Sequence, residues 1–164
     1  MDLELGRSAP QPRPENLSRT GTNLALVDYL FSFSRDRHIM SVKMREGFRV
    51  LVVEDEALIS MLIEDMLADI GCDCVDIASS VEGAIDALTK AEPHFAMLDV
   101  NLNGARSFPI ADVLKSRDIP FIFLSGYGAR GLEHAYQGVK TLEKPFQINA
   151  LETVIEDVLG PAVG

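Results

Sequence analysis

Four short apolar runs, each ending on a side chain with chemistry to offer, alternate with amphipathic stretches between Phe48 and Leu159, and that alternation leaves few folds open. Phe48–Asp55 stops on Glu54 and Asp55, and His94–Asp99 stops on Asp99. Phe121–Ser125 stops on a hydroxyl, and Val139–Lys144 stops on an ammonium followed by Pro145. Continuous apolar runs of this length suit strands buried on both faces, the mark of a parallel sheet covered by helices. In an open sheet of that kind ligands sit at the carboxyl ends of the strands. Three acids, a hydroxyl and a lysine are therefore expected at one edge.

The segments between the runs read as helices. After Asp55-Glu56, Leu58, Leu62 and Met66 with Ile59, Ile63, Leu67 and Ile70 repeat at three- and four-residue spacing until Gly71. Cys74–Ala78 reads as a second strand and Ser80 as the N-cap of a second helix, whose apolar face is Val81, Ala84, Ile85 and Leu88 and which stops before Pro93. Asn101–Gly104 reads as a polar loop, with a third helix marked by Ile110, Val113 and Leu114 and ended at Ile119-Pro120. A short fourth helix near Ala129–Tyr136 and a fifth strand at Val139–Leu142 share the little chain left before Lys144. Ile148, Leu151, Val154, Ile155, Val158 and Leu159 make the last helix, stopped by Gly160-Pro161. Five strands alternating with five helices predict an α/β parallel sheet, helices on both faces, joined by right-handed crossovers.

Residues 1–46 read as a flexible leader with Pro10, Pro12 and Pro14 and a helical turn or two near Asn23–Phe33; Met44 raises the alternative of an upstream translation start. The domain is expected over 47–160, with 161–164 as a tail. Of the net charge of −10, the leader contributes +1 (seven Lys/Arg against six Asp/Glu), so the domain carries −11. A domain that acidic, without a basic run, is a poor direct binder of nucleic acid, whose phosphates call for clustered Lys and Arg. Cys72 and Cys74 lie two apart on what reads as one strand, on one face and too close for an ordinary disulfide, so reduced thiols are expected. No run approaches the ~18 apolar residues of a membrane span, and Leu24–Phe33 lacks the pattern of a signal peptide. The expected compartment is the cytoplasm.

Each polar strand end has a plain interpretation by itself. A carboxylate after a strand is often a helix cap, and Ser125-Gly126 or Lys144-Pro145 alone is a turn. The joint occurrence, in order along the chain, is what points to chemistry. Glu54, Asp55 and Asp99 at one edge would repel one another unless a cation lies between them, and magnesium prefers such hard oxygen ligands. Lys144 and Ser125 suit phosphoryl oxygens. Asp99 as a carboxylate nucleophile, forming an acyl phosphate, uses all five residues. Nothing in the chain resembles a nucleotide-binding glycine loop, so the donor must bring an already activated phosphoryl group. His94 and His134 are lone histidines without a ligand partner at useful spacing.

These residues resemble the receiver domains of two-component response regulators. The resemblance runs from about Phe48 to Leu159 and rests on Leu51-Val-Val-Glu-Asp-Glu56, Leu98-Asp-Val-Asn-Leu-Asn-Gly104, Pro120–Gly128 and Leu142-Glu-Lys-Pro-Phe146. It implies a flavodoxin-like, doubly wound sheet of strand order 2-1-3-4-5. It implies Asp99 as phosphoacceptor, and Asp55 and Asp99 with the Asn101 main-chain carbonyl as magnesium ligands, Glu54 acting through water. Ser125 and Lys144 would contact the phosphoryl group, supplied by the phosphohistidine of a sensor histidine kinase or a histidine phosphotransfer protein. Pro120–Gly128 is similar to the Pro-Phe-x-Phe-Ala-Thr-Gly-Tyr element of a stand-alone receiver subfamily of alphaproteobacteria, some members of which serve general stress signalling; Leu124 and Ser125 replace its Ala and Thr.

Two positions bear on switching. Many receivers carry an aromatic residue three before the strand-five lysine, where this chain has Thr141, and Tyr127, two after Ser125, is the other switch candidate. The implied activity is self-phosphorylation without turnover of a separate substrate. Output would pass by contact with a downstream protein or by draining phosphate from a kinase, and a weak homodimer through the fourth helix, fifth strand and fifth helix is a further expectation. The alternatives are a phosphorylation-independent binding module and an aspartyl-phosphate hydrolase. Such hydrolases commonly place an aspartate two after the nucleophile, and here that residue is Asn101.

Overall fold

The computed structural model describes residues 44–126, 132 and 134–160. The leader up to residue 43, the tail 161–164, Tyr127 and half of the fourth-helix stretch (129–131 and 133) lie outside the described residues. In chain order the elements are β1 (Arg49–Val53), α1 (Ala57–Asp69), β2 (Cys74–Ala78), α2 (Val81–Lys90) and β3 (Phe95–Asp99). Then follow β4 (Asn101–Leu102), β5 (Ala105–Arg106), α3 (Phe108–Ser116), β6 (Phe121–Ser125), a 3-10 turn (His134–Tyr136), β7 (Thr141–Glu143) and α4 (Ile148–Leu159).

β2-β1-β3-β6-β7 form one parallel sheet, which is the order 2-1-3-4-5 once the β4–β5 hairpin is set aside. Alternation along the strands splits the core into two layers. Val50, Val52, Phe95, Met97, Ile122 and Leu124 face α1 and α4, where Ile63, Leu67, Leu151 and Ile155 meet them. Leu51, Val53, Ala96, Leu98, Phe121 and Phe123 face α2 and α3, against Ala84, Leu88, Ile110 and Leu114. Each fully buried Leu, Ile or Phe adds about 2 kcal/mol of apolar burial, so both faces of the sheet resist opening.

Helix ends follow local chemistry. The Ser80 side chain accepts from the Gly83 N–H at 3.1 Å, as the N-cap reading expects. A Cβ at Gly83 would lie 3.2 Å from that oxygen, so the small residue keeps the cap uncrowded. Ser80→Ala is expected to cost about 1 kcal/mol, read as a lower urea midpoint at unchanged slope; an unchanged midpoint would show that the cap contributes nothing.

Four expectations change. Asn101–Gly104 is not an open loop: it enters a two-stranded antiparallel hairpin, Asn101↔Arg106 and Leu102↔Ala105. Its turn is Asn103-Gly104, with φ of 51° and 89°, the pair of positive angles that a two-residue type I′ turn requires. The last strand begins two residues later than its apolar run, because pairing to β6 starts at Phe123↔Thr141, while the Val139 N–H turns back to the Tyr136 carbonyl at 2.9 Å. Among the described residues the fourth-helix region shows only the 3-10 turn, whose Tyr136 is buried against Phe108 and Phe123. Cys72 precedes β2, with its thiol donating to the Phe48 carbonyl; both cysteines are free.

Candidate functional site

The registers Val53↔Leu98, Asp99↔Leu124 and Ser125↔Glu143 hold the carboxyl ends of β1, β3, β6 and β7 nearly level. The residues just past those ends, Glu54, Asp55 and Lys144, therefore meet the terminal residues Asp99 and Ser125. Glu54, Asp99 and Ser125 are buried and Asp55 and Lys144 half-buried. Oxygens of Glu54, Asp55 and Asp99 lie within 4.8 Å of one another.

Lys144 is the ammonium that ties them. Its Nζ donates to Asp99 Oδ2 at 2.7 Å and to Glu54 Oε2 at 3.0 Å. Main-chain donors take up the other oxygens: Glu56 N–H reaches Glu54 Oε1, Asn101 N–H reaches Asp99 Oδ1 and Asn103 N–H reaches Asp55 Oδ2, each at 3.1 Å. The Asn101 side chain accepts from the Gly104 N–H at 3.1 Å and so braces the hairpin turn. The site thus fixes its acids from two sides, by Lys144 and by the loops after β1 and β3.

Burial raises the Glu54 carboxyl to about 7, the Asp99 charge adding to the effect and the Lys144 ammonium opposing it. Burial also works against the Lys144 charge, but the hydrogen bond and charge of Asp99, reinforced by Glu54, hold its pKa above the ordinary lysine value. Asp99, Asn101, Ser125, Gly126 and Lys144 open on a cleft of about 390 Å³, with Arg106 also in its wall. Such a cleft admits a phosphoryl group.

Residues 50–156 match the response regulator receiver domain family, nearly the whole span of sheet and helices just described. The chain belongs to that family. It is a receiver of two-component signalling, and it resembles solved alphaproteobacterial examples. SdrG of Sphingomonas melonis Fr1 is 30% identical with a TM-score of 0.59, the match covering 74% of this chain and 99% of SdrG. The BeF3-activated conformation of SdrG is 34% identical at a TM-score of 0.59, covering 66% of this chain and 92% of that one. The receiver domain of PhyR from Erythrobacter litoralis is 28% identical with a TM-score of 0.62, covering 71% of this chain and 93% of that domain. Among curated proteins, the phyllosphere-induced regulator PhyR of Methylorubrum extorquens is 27% identical over 96% of this chain and 64% of its own length. The chain spans 27% to 64% of the length of the first curated relatives it matches.

The receiver brings together Glu54, Asp55, Asp99, Asn101, Ser125 and Lys144, all of the site residues expected at the strand ends. Thr141 opens β7, half-buried, its hydroxyl donating to the Val139 carbonyl at 3.4 Å. His94 accepts from the Arg49 N–H at 3.0 Å and stacks on Phe48, an ordinary structural role. What the strand-end logic passes over is the hairpin: the Asn103 amide on Asp55 and Arg106 in the cleft wall. The Asn-Gly pair at 103–104 is the sequence signal that marks it. Among the described residues, no helix is long and apolar enough to cross a membrane.

Proposed function

We propose that Asp99 is the phosphoacceptor of this receiver and that a phosphohistidine of a sensor histidine kinase or phosphotransfer protein is its donor. The observation that carries the reading is the bridge from Lys144 to both Asp99 and Glu54 at the mouth of a cleft that Ser125 also lines. In the transfer an Asp99 oxygen forms a bond to phosphorus while the phosphorus–nitrogen bond of the donor breaks. The bonding pair returns to the imidazole nitrogen, which keeps its electrons or takes a proton from water. Lys144 holds the charge of the attacked phosphoryl group, and Ser125 offers its hydroxyl to another phosphoryl oxygen.

Three carboxylates facing one ammonium leave an excess of negative charge on hard oxygen donors, and that donor set fits magnesium. Asp55 and Asp99, with Glu54 and the Asn101 main-chain carbonyl, would hold the ion, which supplies Lewis-acid neutralisation at the phosphoryl oxygens. Leu58 and Met61 on α1 are 45% and 58% exposed, beside an apolar groove of Ile59, Leu62, Met66 and Phe146. Apolar surface next to the acceptor suits a protein donor. Phosphorylation adds about −1.5 to −2 charges, and movement of Ser125 toward them is the step that would alter contacts with a downstream protein target. The likeness to SdrG, which has a BeF3-activated conformation, supports this reading. We take residues 47–160 as the working domain.

The test is migration in a phosphate-affinity gel after exposure to acetyl phosphate, with and without magnesium. Wild type is expected to give a magnesium-dependent retarded band and Asp99→Ala none. Retardation of the Asp99→Ala variant equal to wild type would overturn the assignment.

A further inference from the structure

The β4–β5 hairpin carries a second cation to a cleft whose wall holds three acids, Asp55, Glu56 and Asp99. Asn101 and Arg106 are direct cross-strand partners, and such partners place their side chains on one face. Arg106 thus stands beside Asn101, whose N–H holds Asp99 Oδ1, and lines the same cleft as Asp99, Ser125 and Lys144. Its side chain is exposed, and among the described residues it makes no ion pair.

The charge balance gives that position meaning. A phosphoryl dianion entering the cleft meets Asp55, Glu56 and Asp99 in its wall, with Glu54 behind. The Lys144 ammonium is divided between two of these acids, at 2.7 and 3.0 Å. Among the described residues, Arg106 is the cation in the wall with no carboxylate to neutralise, and a guanidinium fork matches phosphoryl oxygens two at a time.

We propose that Arg106 captures the phosphoryl dianion of an incoming donor at the mouth of the cleft and so determines how well small acyl phosphates serve as donors. The inference rests on Asp99 being the phosphoacceptor. With acetyl phosphate, an Asp99 oxygen bonds to phosphorus as the acetyl oxygen–phosphorus bond breaks, and the bonding pair leaves on acetate; Arg106 binds the phosphoryl oxygens and exchanges no proton. A phosphoprotein donor adds contacts of its own on α1. A small donor has the phosphoryl group and little else to hold, so it depends most on Arg106.

The experiment follows phosphorylation of the full chain by acetyl phosphate in saturating magnesium, by intact mass against time, at several donor concentrations and at low and high potassium chloride. For Arg106→Ala the second-order rate constant is expected to fall about tenfold, the weight of one partly solvated charge-assisted hydrogen bond. Arg106→Lys is expected to recover part of that loss. Raising the salt is expected to shrink the ratio of the wild-type rate to the Arg106→Ala rate, a change that damage to the hairpin fold would not produce. An Arg106→Ala rate within twofold of wild type, with the same salt dependence, would overturn the proposal while leaving Asp99 as acceptor. A wild type that acquires no phosphoryl group from acetyl phosphate would instead remove the acceptor reading and this inference with it.

Discussion

Lys144→Ala is expected to unfold about 3–5 kcal/mol more easily than wild type in metal-free buffer at pH 8, and to lose about two orders of magnitude or more in its rate of phosphorylation. The ammonium is the counter-charge of two carboxylates that have almost no access to water: side-chain exposure is 15% for Lys144, 0% for Glu54 and 9% for Asp99. Removing it leaves both acids buried beside Asp55 without their shared donor. The raised Lys144 pKa fixes the sign. A cation whose folded pKa lies above its unfolded value stabilises fully below the unfolded value and ceases to do so only as pH rises through the folded one, so at pH 8 the whole contribution is present. At pH 5 the penalty should shrink, because Glu54, with a pKa of about 7, is then protonated. Magnesium should stabilise the variant more than wild type, since no ammonium competes with it for the acids. Urea unfolding with and without magnesium at the two pH values checks this. Equal stability of variant and wild type at pH 8 would mean that the bridge contributes nothing.

The sheet and the acid cluster were legible in the chain for one physical reason. Strands buried on both faces must be apolar throughout, so the first charged or hydroxylated residue after each run marks its carboxyl end, and parallel register brings those ends together. Glu54, Asp99 and Ser125 follow that rule, whereas Lys144 follows a half-exposed edge strand that itself contains Thr141 and Glu143. The hairpin escaped it because two-residue strands are too short to show alternation, leaving Asn103-Gly104 as its only local sign. Arg106 was hidden with it. The late start of β7 was illegible for a different reason: Val139 is apolar but spends its N–H on the turn after Tyr136, so pairing and not hydropathy sets the strand's beginning. Tyr136 itself reads as one more residue of a helix. Only the fold shows its ring stacked on Phe108 at 4.8 Å and edge-on to Phe123 at 5.6 Å, with its hydroxyl donating to Asp112.

Glu54→Gln separates the cost of the buried acid from its use. In metal-free buffer the stability of wild type relative to the variant is expected to drop by about 3 kcal/mol as pH rises from 4 to 8, the linkage energy of a carboxyl that ionises near 4.5 when unfolded and at about 7 when folded. The sign follows from proton counting. Between those two values the folded protein holds a proton that the unfolded chain has released, so raising the pH favours unfolding; the stabilisation is complete below the unfolded pKa and gone above the folded one. The amide introduced by Glu54→Gln retains an acceptor for the Glu56 N–H and mimics the protonated acid, while Asp55, Asp99 and Lys144 face it in both proteins; the difference reads burial of the Glu54 charge, with Lys144 opposing and Asp99 adding to its effect. Saturating magnesium should reverse the trend, because the ion holds the ionised acids, and the variant should then be the less stable of the two at pH 8. The same burial that weakens the metal-free domain thus keeps Glu54 poised to release its proton when a cation arrives. Parallel stability curves for wild type and Glu54→Gln across pH 4 to 8 would show that Glu54 ionises as freely folded as unfolded, and that the strand ends impose no such cost.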